Sequence, residues 1–442
     1  MKKLLKLSVL TAGLLTLMGA CSNHEMPDVP TPDSTTQTPP SGLDRALRIV
    51  DEMMKELDGG ATRSSRRIAT IEKVNQLTRS DAQAPNWFLV NYDNEAGFAL
   101  VNDAKVVCPV YGISNTGSLF ISDTIQNKAL ANVLHNIFVM AYVDSMVEEA
   151  NHTNAINAEN ANSDNSPNGW GEEYVPVDPI TPWLTNDPRV PWTPIKPPAE
   201  KLVVAPLLTQ YVQKWGQTSP YNVLCPKIHN IWTGEEMNGY VGCGPLAVAM
   251  IMSHYQWPLS YYSKSPDETY EFHWDEIRDY PYRYAMSRLT REISRAYNMD
   301  AQWNDTCTPS KWTRVPQTFE NFKYRKPTIK QFNDIALSTI LSKVPILIYS
   351  KLIDSYGDRN AHMWVIDGLY SITFNDVAEI PGYTHYYFHC VWGWAGNSNG
   401  YFIMNNYGNT NDGYIYDYSS AANKLGYTFY DFEAIGGLTP NR

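Results

Sequence analysis

The chain has 442 residues, with 35 Lys plus Arg against 46 Asp plus Glu and a formal net charge of −11. Hydrophobic residues make up 43% of the chain and charged residues 18%. The hydrophobic residues suffice for a large core, so this composition argues against an intrinsically disordered chain. The acidic balance argues against a nucleic-acid partner, because phosphate recognition needs a concentrated basic surface. Six cysteines are too few for a disulfide scaffold.

The first twenty-one residues have the form of a secretory signal. Three lysines precede the apolar run Leu7–Met18, which at about 12 residues is too short to span a bilayer. The run ends in Gly19-Ala20-Cys21, and small residues before a Cys resemble the lipobox of bacterial lipoproteins. This resemblance implies that 1–21 is a lipoprotein signal peptide and that Cys21 is acylated. We then expect an extracytoplasmic protein held at the membrane, by prediction the outer membrane, by this anchor alone. The alternative is ordinary cleavage with Cys21 incidental.

Residues 22–60 are predicted to form a stalk and a short helix. The segment Ser22–Ser41 is rich in Pro, Thr, Ser and Asp and has too little apolar content to pack. Apolar residues then recur at helical spacing from Leu43 to Leu57, before Gly59 and Gly60 end the pattern.

Residues 61–150 are predicted to form an α+β domain. The β-rich runs Trp87–Tyr92 and Gly97–Val101 flank a turn and indicate a hairpin. A broad apolar face predicts a helix over Gln126–Asn151. The sequence therefore predicts a separate mixed domain before the main globular part.

Residues 151–200 are predicted to be a linker. An Asn/Ser-rich run is followed by nine prolines, which rule out a helix or a central strand. From 201 to 442 the chain is aromatic-rich and globular. Lys201, at the start of this part, is one plausible site for proteolytic cutting.

The segment around Cys243 has the form of a nucleophile at the start of a helix. Cys243 lies between Gly242 and Gly244, and Pro245 begins an apolar run at helical spacing. The positive end of a helix dipole favours the thiolate, and flanking glycines let a substrate approach the backbone. A buried structural Cys is the alternative.

A thiolate nucleophile needs a base or a cationic partner. Among nine histidines, His362 is the best placed, because it follows a polar loop and begins the strand-like run Met363–Asp367. Trp392-Gly393-Trp394 is predicted to form an aromatic wall beside an ion pair. Gln217 is a side-chain amide upstream of the Cys that would suit an oxyanion.

Taken in order, these segments resemble the streptopain family of papain-like cysteine peptidases. The four matching motifs are Trp215–Asn222, Gly242-Cys243, His362–Gly368 and Trp392–Phe402. The N-terminal half resembles the propeptide of that family in the segments Gly97–Val101 and Cys108–Ser114.

The resemblance implies a papain-like α+β peptidase domain over 201–442, behind an N-terminal α+β propeptide domain. By position, Cys243 is the nucleophile and His362 its ion-pair partner. Gln217 and the Cys243 N–H form the oxyanion hole, and Trp392 covers the His. The implied reaction is hydrolysis of peptide bonds in protein or peptide substrates. The propeptide would act as an intramolecular inhibitor of a tethered zymogen. No cofactor and no metal are expected, since no His/Cys spacing fits a zinc site.

One departure from the family keeps other functions open. Val391 stands where the family has Asn, the residue that orients the His, so a backbone carbonyl or water must take that role. A weakened or inactive homologue that binds ligands at the cell surface is therefore an alternative. Another is transpeptidation or amide transfer through the same thioester chemistry. Cys225 and Cys390 are candidates for a disulfide.

Overall fold

The computed structural model describes two long regions of the chain, separated by the predicted linker. The described residues are 41–59, 66–74, 86–103, 109–142, 200–230, 233–278, 283–303, 307–353, 359–374, 383–404, 409–410, 430 and 432–442. The predicted signal peptide with Cys21, the stalk, and the linker up to residue 199 lie outside them. Among the described residues, no helix is long and apolar enough to cross a membrane.

In the N-terminal region, the described residues between 41 and 142 form three α-helices and four strands. Its elements are α1 (Ser41–Leu57), β1 (Ile68–Val74), β2 (Trp87–Tyr92), β3 (Phe98–Asn102), β4 (Val110–Ser114), α2 (Asp123–Gln126) and α3 (128–142). The predicted hairpin is confirmed, because β2 and β3 pair antiparallel with Phe88 opposite Val101. The helix predicted over Gln126–Asn151 corresponds to α3, which begins two residues later than predicted, and its predicted end lies outside the described residues.

The C-terminal region, residues 200–442, combines helices with a long antiparallel ladder. Its first elements are β5 (Glu200–Val204), α4 (Gln210–Gln213), β6 (Lys227–His229), β7 (Glu236–Asn238), α5 (Cys243–Tyr255), β8 (Ser260–Lys264), β9 (Asp267–Glu271), α6 (Trp274–Arg278) and α7 (Arg283–Ile293). The rest are α8 (Val315–Asn321), β10 (Lys330–Gln331), α9 (Phe332–Leu341), β11 (Ile346–Ile353), β12 (Arg359–Phe374), β13 (Tyr383–Val391), β14 (Gly400–Ile403), β15 (Asn409–Thr410) and β16 (Glu433–Ile435). The expected mixture of helices and sheet is confirmed.

One sheet runs through both regions. Its strand order is β1-β2-β3-β4-β14-β13-β12-β11-β16-β10, with β5 paired to β12 and β15 to β13. The two regions join where β4 pairs antiparallel with β14, with Ile113 opposite Tyr401 and Gly112 opposite Phe402. The predicted boundaries at 150 and 200 stay a prediction, but the described residues on either side share backbone hydrogen bonds.

Among the described residues, the buried apolar side chains form three clusters. We call the first two clusters the sheet core and the helix core, and they lie on opposite faces of the C-terminal strands. In β12, Trp364 and Ile366 belong to the sheet core, whereas Met363 and Val365 belong to the helix core. This alternation is the period of two that a strand imposes. Helix α5 lies in the helix core. The third cluster joins α1 to strands of both regions.

Lys201 does not lie in an open linker. It is part of β5, where it stands opposite Ile372 of β12, and its Nζ lies 2.8 Å from Oε1 of Glu56 in α1. A cut at Lys201 would therefore have to break strand pairing first, which makes this position a poor protease site in the folded chain.

Candidate active site

Cys243 is the first residue of α5, as the sequence predicted. The turn before it requires glycine, because Gly242 has φ of +90° and a Cβ there would meet the carbonyl oxygen of Thr308 at 2.8 Å. The carbonyl of Gly242 accepts the Leu246 N–H at 3.1 Å and so begins the helix. The thiol therefore stands at the positive end of the α5 dipole.

Cys243 and His362 form a polarised pair. Burial raises the pKa of the Cys243 thiol, but the neighbouring His362, its hydrogen bond, and the backbone N–H groups of Met363 and Gly244 outweigh burial and lower it. Burial likewise lowers the pKa of His362, but the negative charge and hydrogen bond of Cys243 outweigh it and raise that pKa. Both shifts favour a thiolate facing an imidazolium.

A backbone carbonyl orients His362. The ring nitrogen Nε2 lies 3.2 Å from the carbonyl oxygen of Trp392, which can only accept, so Nε2 carries the proton. That leaves Nδ1 as the nitrogen available to the Cys243 thiol. The side chain of Val391 does not orient His362, because it is apolar and fully buried in the helix core. Of the two orienters that the sequence left open in place of Asn, a backbone carbonyl or water, this geometry has the carbonyl.

The Trp392 ring does not stack on His362. The Trp394 ring does, with centroids 6.2 Å apart and 11° between the planes, and so does the Trp364 ring, at 6.5 Å and 28°. Trp392 is fully buried in the sheet core, where its ring is tilted against Trp364 at 5.7 Å and its Nε1 donates to the Ser398 carbonyl at 2.7 Å. The expectation that the Trp392 ring covers the His differs from this arrangement, since Trp392 acts through its carbonyl. Both residues are in the motif, and Gly393 between them has a φ of +77°, so the chain turns there and the two rings do not share the side that a regular strand would give them.

Gln217 lies beside the segment that leads to the nucleophile. Its carbonyl accepts the Val241 N–H at 2.9 Å, two residues before Cys243, and the carbonyl of Trp215 accepts the Ala395 N–H at 3.0 Å. The side chain of Gln217 is buried, and within the described part of the chain it makes no hydrogen bond. Its amide is therefore available to donate to a substrate oxygen. The four sequence motifs, around Gln217, Cys243, His362 and Trp392, thus come together at the candidate active site.

The structure adds residues that the motifs did not indicate. A Cβ on Gly244 would meet Ser310 Oγ at 2.3 Å and Met299 at 2.8 Å, so both side chains border the backbone next to the nucleophile. The Trp312 ring stacks on Tyr349 at 5.0 Å and 9°. Burial and then the charges of Glu433 and Cys243 raise the pKa of Tyr349. These residues come from distant segments, so no local spacing could have identified them.

The other described cysteines differ from Cys243 in their surroundings. Cys225 lies in the helix core and Cys390 in the sheet core, so the candidate disulfide between them is not formed. Burial raises the pKa of Cys225 to about 11 and that of Cys390 well above its ordinary value. Cys307 is exposed. Among the described cysteines, Cys243 is the one for which a lowered pKa goes together with a histidine partner.

A thiol at a helix N-terminus, paired with an oriented imidazole, defines the site of a cysteine peptidase. The sequence comparison agrees, because residues 215–402 match the Peptidase C10 family. The chain is therefore a cysteine-type peptidase, and residues 215–402 of it match the Peptidase C10, or streptopain, family. The predicted family is thus confirmed.

The solved structures that are similar to the chain include two of interpain A. One is a mutant fragment of prointerpain A from Prevotella intermedia, with 17% identity and a TM-score of 0.44, covering 82% of this chain and 97% of that one. The other is active wild-type interpain A cysteine protease from the same organism, with 17% identity and a TM-score of 0.36, covering 52% of this chain and 94% of that one. No curated protein sequence matches the chain.

Proposed function

We propose that the protein is an endopeptidase in which Cys243 is the nucleophile and His362 the general acid and base. The observation that carries the proposal is the pairing of these two residues, with Nε2 of His362 held by the Trp392 carbonyl. Gln217 supports the oxyanion role, because its buried amide is not engaged by the described protein.

The reaction proceeds through a thioester. The Cys243 thiolate attacks the carbonyl carbon of the scissile peptide, and the oxygen gains negative charge next to the Gln217 amide and the Cys243 N–H. His362 gives its Nδ1 proton to the leaving amine, and the C–N bond breaks. Water then attacks the thioester, His362 takes its proton, and the acid product leaves with the thiolate restored.

We further propose that the protein is made as a lipid-anchored zymogen at the cell envelope, by prediction at the outer membrane. The lipobox-like Gly19-Ala20-Cys21 supports acylation of Cys21. The region before the catalytic part would restrain the enzyme as an intramolecular inhibitor until the chain is cut. The pairing of Lys201 in β5 supports a cut N-terminal to that strand, within 151–199.

Hydrolysis of an unstructured protein such as casein tests the endopeptidase assignment. Wild-type protein cut within 151–199 should degrade casein, and Cys243→Ala should abolish this. Cys225→Ala is the matched control, because it removes a buried thiol that has no histidine partner, and it should retain activity. Casein left intact by the wild type would instead indicate an inactive binding homologue. Equal activity in Cys243→Ala would remove Cys243 as the nucleophile.

Amine acceptors separate hydrolysis from transfer. With a peptide substrate and an excess of an amine nucleophile, the endopeptidase should release mainly the free acid. Amide product as the main species would indicate transpeptidation instead.

A further inference from the structure

A row of three side chains crosses the sheet next to the nucleophile. Met363 of β12 stands directly opposite Tyr349 of β11, and Tyr349 stands directly opposite Glu433 of β16. Residues directly opposite each other in an antiparallel pair carry their side chains on the same face, with Cβ atoms about 5 Å apart. The three side chains therefore lie side by side, and the Cβ of Glu433 is about 10 Å from that of Met363.

The face that carries this row is the face on which the nucleophile helix packs. Met363 and Tyr349 belong to the helix core together with α5. On β16, Ile435 also belongs to the helix core, whereas Ala434 belongs to the sheet core. Because side chains alternate along a strand, Glu433 lies on the same face as Ile435. The carboxylate is therefore on the side of the sheet where Cys243 stands.

The row begins at the nucleophile itself. The backbone N–H of Met363 hydrogen-bonds the Cys243 sulfur and lowers the pKa of that thiol. A Cβ on Gly244 would meet the Met363 sulfur at 3.0 Å. In the middle of the row, burial and then the charges of Glu433 and Cys243 raise the pKa of Tyr349. Tyr349 thus lies within electrostatic reach of the thiolate at one end and of the carboxylate at the other.

Apolar and aromatic side chains line the space between the two charges. The Trp312 ring stacks on Tyr349, with centroids 5.0 Å apart and 9° between the planes, and both residues are buried. Met299 and Met363 add two thioether side chains beside Gly244. In surroundings of this kind, a carboxylate attracts a cation more strongly than it does in open water.

Glu433 is a half-buried carboxylate whose side chain has no cationic partner in the described part of the chain. It makes no hydrogen bond and no ion pair with any described residue. Glu292, by contrast, is a fully buried carboxylate that has Arg295 at 3.0 Å. A carboxylate that is partly removed from water and unpaired gains most from a cation that arrives with a ligand.

A cationic side chain of a bound substrate can reach Glu433 while the scissile bond lies at Cys243. An extended peptide advances about 3.3 Å per residue. The carbon stem of a Lys or Arg side chain can lie along the rings of Tyr349 and Trp312 while its charged end meets the carboxylate. The roughly 10 Å along the row correspond to one or two residues of extended peptide plus such a side chain.

We propose that Glu433 is a specificity-determining residue of the peptidase: its carboxylate pairs with a Lys or Arg side chain of the substrate, one or two residues from the scissile bond. The proposal rests on the proposed function, since it takes Cys243 and His362 as the place where the bond is cut. It names the preferred substrates as peptides with a cationic residue close to the cleaved bond.

The first test compares matched peptides on the wild-type chain cut within 151–199. The peptides differ at one residue, which is Lys, the uncharged norleucine or Glu, placed in turn at each of the two residues on either side of the cleaved bond. We expect one position at which Lys raises kcat/KM about tenfold over norleucine and at which Glu is the poorest substrate. Equal kcat/KM for Lys and norleucine at every position would overturn the proposal.

The second test changes the carboxylate and measures the ratio of kcat/KM between the Lys and norleucine peptides. Glu433→Gln keeps the shape of the side chain and should lower this ratio from about ten to about one, and Glu433→Lys should make the Glu peptide the better substrate. Glu271→Gln is the control, because it removes an exposed carboxylate on β9, in a separate two-stranded sheet, and should keep the wild-type ratio. An equal loss with both peptides in Glu433→Gln, with the ratio unchanged, would show a purely structural role and would overturn the proposal.

Peptide binding separates this proposal from the proposed function. Fluorescence anisotropy gives the affinity of labelled Lys and norleucine peptides for Cys243→Ala protein cut within 151–199. We expect the Lys peptide to bind several-fold more tightly, and Glu433→Gln in the same background to abolish the difference. No difference in binding would overturn the role of Glu433, whatever the activity of the wild type. A Lys preference in binding, with no peptide hydrolysed by the wild type, would overturn the proposed function and support the pairing with Glu433.

Discussion

At the scale of single residues, the site depends on how one histidine is held. The Trp392 carbonyl binds Nε2 of His362, and the Trp394 ring lies nearly parallel to its imidazole. Both contacts favour a fixed ring with Nδ1 towards the thiol. The carbonyl fixes the tautomer, and the aromatic face favours a cationic ring and keeps water from it.

Restoring the family's Asn at position 391 should not improve the enzyme. The Val391 side chain is fully buried among apolar neighbours in the helix core, and the acceptor for His362 is already supplied by Trp392. Val391→Asn should lower the free energy of unfolding by about 1–3 kcal/mol, because it buries an amide without partners. Urea unfolding and casein hydrolysis check this. A gain in kcat with unchanged stability would show that the backbone carbonyl is an inadequate orienter.

Removing the Trp394 ring should weaken the ion pair without unfolding the protein. Trp394 is only partly buried at the edge of the sheet core, so Trp394→Ala leaves the interior of that cluster filled. We expect kcat/KM to fall about tenfold, equivalent to about 1.4 kcal/mol. The loss should be larger at alkaline pH, where the His362 proton is released more easily. Trp394→Phe keeps an aromatic face and should retain most activity. Equal loss in both variants would contradict the stacking role.

At the scale of elements, the start of α5 sets the position of the nucleophile. Gly242 combines a positive φ with backbone contact to Thr308, so two independent constraints exclude a side chain there. The helix that follows is almost wholly buried, which leaves little freedom to adjust.

Gly242→Ala should therefore be more damaging than an alanine at another left-handed glycine. Gly234 also has a positive φ, but a Cβ there would meet no atom within 4 Å. Gly234→Ala should cost only the left-handed conformation, about 1–2 kcal/mol. Gly242→Ala should cost more and should also displace Cys243, with peptidase activity largely lost. Thermal unfolding and casein hydrolysis of both variants decide this. Similar activity in the two would contradict the role assigned to the turn.

The sequence predicted the elements that carry local signals. Helix α1, the β2–β3 hairpin and the α5 start were visible from periodicity and glycine placement, and the order of the four motifs predicted that Cys243, His362, Gln217 and Trp392 lie close together. It did not predict which tryptophan ring faces His362, because that depends on the path of the loop. It also did not predict that Lys201 lies in a paired strand, because the pairing of β5 with β12 joins segments about 170 residues apart, and such non-local pairing leaves no local pattern.

At the scale of the whole molecule, the catalytic strands and the N-terminal strands belong to one sheet. Strand β14 follows directly on the loop that holds His362 and pairs with β4 on its outer side. Geometry at the site and stability of the fold are therefore linked through this strand. The division into propeptide and catalytic domains stays a prediction.

A chain that begins at residue 200 should consequently fold poorly. It would leave the β14 edge unpaired and expose Phe402, Tyr370 and Tyr387, which are fully buried in the complete chain. Exposed strand edges and apolar surface favour aggregation. We expect weak cooperative unfolding and binding of a hydrophobic dye, and rescue when 41–142 is added during refolding. Deletion of residues 22–40 alone is the control and should leave folding unchanged. A stable, cooperative 200–442 fragment would contradict the shared core.

The most direct test of the account is the pH dependence of Cys243 alkylation. It is measured by mass spectrometry in a Cys307→Ser background, which removes the exposed competing thiol. The lowered pKa of Cys243 and the raised pKa of His362 predict rapid alkylation at pH 6, where a thiol of ordinary pKa is roughly 1% ionised or less. In His362→Ala, the rate of alkylation should rise only at higher pH, towards the range in which an ordinary thiol ionises. The account is contradicted if wild-type Cys243 is alkylated only at the pH at which an ordinary thiol ionises. It is also contradicted if His362→Ala leaves the pH dependence of alkylation unchanged, because the two residues then do not form the catalytic pair.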